Sequence, residues 1–114
     1  MIVIYSDNIL KVLSIFMKIG GIALFPFIIL RKGYKNTERG KIVLNHEKIH
    51  IKQQMELLVV IFYVIYILNY IYNVFKYKGV SRAYSNICFE REANAHERDF
   101  NYLKNRKLFA WIKY

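Results

Sequence analysis

His46-Glu47-Lys48-Ile49-His50 sets two imidazoles four residues apart, with a carboxylate directly after the first. On a helix, positions i and i+4 lie one above the other on one face. Two imidazoles so placed can share a metal ion, and Zn2+ suits them. A catalytic zinc takes three protein ligands and keeps one position open for water. Glu47, beside the first imidazole, would be the general base that takes a proton from that water. Two of three ligands are then assigned, and the third must come from elsewhere in the chain.

The remaining histidine is His96, in the segment Phe89-Glu90-Arg91-Glu92-Ala93-Asn94-Ala95-His96-Glu97-Arg98-Asp99. Its residues are mostly good helix formers, with neither glycine nor proline. Glu92 and His96 share a helical face, and Asp99, seven residues after Glu92, lies there too. This pattern predicts Glu92 as the third ligand, with His96 or Asp99 behind it to orient the ligands.

The pair HEKIH and EREANAH resembles the gluzincin metallopeptidases, which carry HExxH on one helix and a glutamate ligand on a later one. The likeness is nearest to the membrane-associated branches of the CAAX-prenyl-protease and beta-lactam-sensor types, and the small size is similar to that of the minigluzincins. It covers about 60 residues, roughly 38 to 104. It implies that His46, His50 and Glu92 bind zinc, that Glu47 is the base, and that a peptide or protein is the substrate. One departure is His96 where those families have aspartate; a neutral imidazole can orient a ligand but holds no charge against the ion. The resemblance also implies a single small zincin-like domain over residues 1–114, α+β and mostly helical, in which an edge strand near 22–30 aligns the substrate.

Two other readings use the same residues. Glu47-Lys48-Ile49-His50 is also Glu-x-x-His, the motif of carboxylate-bridged di-metal bundles. That site needs a second such motif, and Glu92 to His96 is one residue too long. A non-catalytic adaptor at a membrane surface would need no metal at all.

The elements that must position these groups follow from periodicity and punctuation. Ile42, Ile49, Met55 and their apolar neighbours repeat as on a helix around HExxH, with Thr37 or Asn36 as its cap. Upstream, Ile2-Val3-Ile4-Tyr5 reads as a short strand. Ser6-Asp7-Asn8 then caps a helix whose apolar side runs from Ile9 through Phe16, Met17 and Ile19 to the Gly20-Gly21 pair. Ile22 to Leu30 reads as one strand with Pro26 in its middle, hence a strand at a sheet edge. Ser81 is the expected cap of a helix that carries Glu92 and runs to about Lys104.

Composition bounds the partners. The net charge of +10 favours an anionic surface. Residues 1–75 hold 9 Lys and Arg against 4 Asp and Glu, and residues 76–114 hold 9 against 4. Such even spread argues against a basic nucleic-acid arm, and no nucleic acid is expected. The single Cys88 excludes an internal disulfide and fits a reducing compartment. The start lacks a positively charged stretch before its apolar run, so no signal peptide is expected. Leu57 to Phe75 is 19 residues without a charge, about the length that spans a bilayer. A true span would separate His50 from the downstream glutamates, so this segment is expected to be embedded or packed without crossing. Tyr63, Tyr66, Tyr70, Asn73 and Tyr77 form a polar-tipped stripe along it. Trp111 and Tyr114 near Lys107 and Lys113 suit a membrane–water interface. The expected location is the cytoplasmic side of a membrane or, failing that, the cytoplasm.

Overall fold

The chain is α+β and mostly helical, with one small sheet. The computed structural model describes residues 2–13 and 20–114. Strand β1 (Ile2–Tyr5) leads into helix α1 (Asp7–Leu13), where the Ser6 hydroxyl accepts from the Ile9 N–H as a cap. The expected continuation of this helix through Phe16, Met17 and Ile19 lies outside the described residues.

The single strand expected over 22–30 is instead two. Strands β2 (Gly21–Leu24) and β3 (Phe27–Leu30) pair antiparallel, with Ile22 opposite Ile29. Pro26 offers no N–H to a ladder, and here it serves as the turn between them. β1 pairs parallel with β3, giving the order β1-β3-β2. The Pro-containing run therefore contributes the central strand and the edge strand β2.

Helix α2 (Glu38–Glu56) carries HExxH. Thr37 caps it by accepting from the Gly40 N–H at 2.9 Å. Gly40 is required by contact: a Cβ there would lie 1.9 Å from the Tyr34 carbonyl oxygen. One side of α2 packs on the sheet, where Ile51, with Val43 and Leu44, meets Ala23, Ile28 and Leu30. Gln54 fixes the register between them. Its amide donates to the Ala23 carbonyl and its carbonyl accepts from the Phe25 N–H, both at 2.8 Å.

The other side of α2 faces helices α3 (Val60–Tyr77) and α5 (Cys88–His96), joined by the short α4 (Val80–Ser85). Phe62, Ile87 and Phe89 form a second core there, closed by Trp111, whose ring centroid is 5.0 Å from that of Phe89. The helix expected from Ser81 to Lys104 is broken into α4, α5 and α6 (Tyr102–Asn105). The break has a tertiary cause. Asn69 on α3 accepts from the Cys88 N–H at 2.8 Å, capping α5 from a neighbouring helix, while Ile87 is drawn fully into the core.

Candidate metal centre

Periodicity on α2 puts His46 and His50 on the face toward α5, and α5 answers with Glu90. His46 Nε2 and His50 Nε2 are 3.2 Å apart, and each lies 3.1 Å from Glu90 Oε1. These three atoms form a nearly equilateral triangle. Tetrahedral ligands at zinc–nitrogen or zinc–oxygen bond lengths stand about 3.3 Å apart. The three residues present therefore fit a zinc ion with almost no movement.

The tautomers decide what the triangle is. Gln53 donates its amide to the Phe89 carbonyl at 3.2 Å and to Glu92 Oε1 at 2.9 Å, so its own oxygen faces His50 Nδ1, 2.7 Å away. His50 Nδ1 must then carry the proton. His46 Nδ1 lies 2.8 Å from the Glu97 carboxylate, an acceptor, so it too carries its proton. In the neutral rings both Nε2 atoms are lone-pair acceptors aimed at a carboxylate oxygen. Such partners on the far ring nitrogen are the usual means of orienting metal-binding histidines.

Without a metal, protons must fill the gap. Burial opposes charging His46, but hydrogen bonds to Glu90 and Glu97 outweigh it and push its pKa up to about 10. His50 is likewise raised, burial being outweighed by the Glu90 charge. Glu90 is held well below the usual carboxylate range despite its burial, because both imidazoles face it. Tyr66 steadies Glu90 from α3, its hydroxyl donating to Oε2 at 2.9 Å.

Glu47 is buried beside the triangle and lines a cleft of about 200 Å³ together with Gly21, Arg39, His46, Tyr84 and Glu97. Burial raises its pKa, and the nearby imidazoles only partly offset this. Gly21 brings the edge strand β2 to the same cleft.

The other expected site residues lie elsewhere. Glu92 points away from the histidines. It is fully buried and accepts from Arg106 at 2.5 and 2.9 Å, Tyr102 at 2.7 Å and Gln53 at 2.9 Å. The correction is geometric: residues two apart on a helix diverge by about 200°, so only one of Glu90 and Glu92 can face the two histidines. Glu92 reaches the triangle indirectly, by holding Gln53 against His50. His96 stacks on Tyr102, with ring centroids 3.7 Å apart, and lies 2.5 Å from the Tyr114 hydroxyl. Asp99 is exposed and accepts from the Asn101 N–H. The side chain that meets His46 from behind is that of Glu97. Asn45 places Glu97, its amide donating to the carbonyls of His96, Glu97 and Asp99. The seven-residue interval from Glu90 to Glu97, two turns on one face, was the sequence signal for this pair.

Comparison of the chain with protein-family models, curated proteins and solved structures finds no match to any of the three.

Proposed function

We propose that the chain is a zinc-dependent hydrolase acting on peptide bonds, with His46, His50 and Glu90 as the ligands and Glu47 as general base. One observation carries the reading. Three acceptor atoms converge at 3.1–3.2 Å, and the hydrogen bonds behind both rings forbid them from pairing with one another in their neutral forms. A cation belongs between them, and two imidazoles with one carboxylate are a donor set that zinc accepts. When bound, zinc supplies a water of near-neutral pKa and polarises a carbonyl oxygen. Glu47, adjacent in sequence to His46 and lining the same cleft, is placed to hold a proton there and would serve as general base toward such a water and as acid toward the leaving amine. Gly21, at the cleft wall, puts the backbone of the edge strand β2 where an extended substrate would lie.

The test separates ligand from base. Zinc content of the purified chain should be one ion per molecule. His50→Ala and Glu90→Ala should lose it; Glu47→Gln should keep it and lose peptide hydrolysis. Zinc that survives Glu90→Ala but not Glu92→Ala would overturn the ligand assignment, and equal zinc loss in Glu47→Gln would overturn the base.

A further inference from the structure

The two sides of α3 differ completely. On the inner side Phe62 packs near His50, Tyr66 donates to Glu90, Asn69 caps α5, and Asn73 donates to the Ala83 carbonyl at 3.1 Å. The outer side carries Val60, Ile61, Val64, Ile67, Leu68, Ile71, Tyr72 and Phe75, all exposed, with Leu68 at 62% and Phe75 at 79%. At 100° per residue these eight occupy an arc of about 140°, so they form one continuous stripe. Leu58, 75% exposed, extends it beyond the start of the helix.

The charges within this stretch of chain are of one sign. Residues 57–89 contain Lys76, Lys78 and Arg82 and no Asp or Glu. All three cations are exposed, and Lys76 lies over the Tyr72 and Tyr77 rings at 6.0 and 5.2 Å. A second copy of the chain would meet this surface with the same unmatched cations. Anionic headgroups match them, and acyl chains match the stripe.

We propose that the outer face of α3 is the seat of an anionic lipid bilayer, with the helix lying in the plane of the membrane and not across it. The inner hydrogen bonds exclude a crossing: Asn69 and Asn73 are held by α5 and α4, which would then carry Arg82 and Arg91 into the hydrocarbon. Because Tyr66 reaches Glu90 from the opposite side of the same helix, the candidate metal centre sits about one helix diameter, ~10 Å, behind the lipid-facing surface. The inference does not depend on the metal.

The test uses full-length protein sedimented with phosphatidylcholine vesicles, with and without phosphatidylglycerol. Binding should require the anionic lipid and weaken at high salt. The double variant Leu68→Glu and Phe75→Glu, at two solvent-facing positions, should keep its circular dichroism and zinc content and bind roughly tenfold more weakly or worse. Unchanged binding by that variant, or no binding by the wild type, overturns the proposal. So does a wild-type dimer that the same substitutions dissolve, which would give the face to a second copy. Independently of α3 substitutions, cysteines at positions 52 and 91 in a Cys88→Ser background should react with an impermeant reagent from the same side of a vesicle. Labelling from opposite sides would mean that the helix crosses.

Discussion

Two buried charge clusters flank the same short helix, and they are solved in opposite ways. Around Glu92 the chain supplies its own cation. Arg106 is buried between Glu92 and Glu56, with Nη2 2.8 Å from Glu56, and Tyr102 and Gln53 complete the set. Around Glu90 the chain supplies two imidazoles whose only available electron pairs face the carboxylate. The first cluster holds a fixed cation of its own and reads as structure. The second is left for a mobile cation, proton or metal, and reads as a site. Buried carboxylates two residues apart thus acquire different roles from what stands opposite, and their shared burial says nothing about which is which.

The largest expected effect breaks the first cluster. Arg106→Ala strands Glu92 in the core, and loss of one partner of a buried pair costs about 3–5 kcal/mol. Chemical denaturation should show it. Stability unchanged in Arg106→Ala would erase the contrast between the clusters. Next in size is Glu90→Gln. It should weaken zinc binding by more than the 10–100-fold typical of losing an orienting partner, and it should lower the melting temperature of the metal-free chain by less than Arg106→Ala does, because the two imidazoles can shed their protons when the carboxylate that pairs with them is gone. Competition with a chromogenic chelator measures the former.

A smaller effect sharpens the second cluster. Glu97→Gln and Gln53→Leu remove the partners behind His46 and His50 and should each reduce zinc affinity roughly 10–100-fold, with Glu47→Gln as the unaffected control. Smallest is the pH response of the metal-free form. His46 has a folded pKa of about 10, raised from 6.5, so its stabilising contribution is complete below 6.5 and is lost as pH rises through 10. The thermal midpoint of chelator-treated protein should fall across that window, while zinc affinity, which needs unprotonated rings, should rise. A midpoint that climbs with pH would contradict the pairing of His46 with Glu90 and Glu97.

Much of this arrangement is legible in the residues. Period 3.6 around HExxH and the Thr37 cap locate α2, and the spacing places His46 and His50 together. The Tyr63, Tyr66, Tyr70 and Asn73 stripe marks the inner face of α3. What spacing leaves open is rotation. Glu90 with Glu97 and Glu92 with His96 are equally good helical pairs, and the choice depends on Arg106, which meets Glu92 only after the chain has turned twice. The break before α5 is hidden for a related reason, since its cap, Asn69, lies 19 residues upstream on another helix. Pro26 announces a disturbance in a strand but not that the chain reverses there.

Gly40 performs no chemistry, yet it fixes where the first turn of α2 rests against the Tyr34 carbonyl. In the language of the genetic code, every single-base missense change at a glycine codon yields a residue with a Cβ. Each would push that turn off its seat, six residues before His46. The chain therefore has a mutational target at a position outside the candidate site, and lineages that keep the site should be barred from change there as firmly as at the histidines themselves.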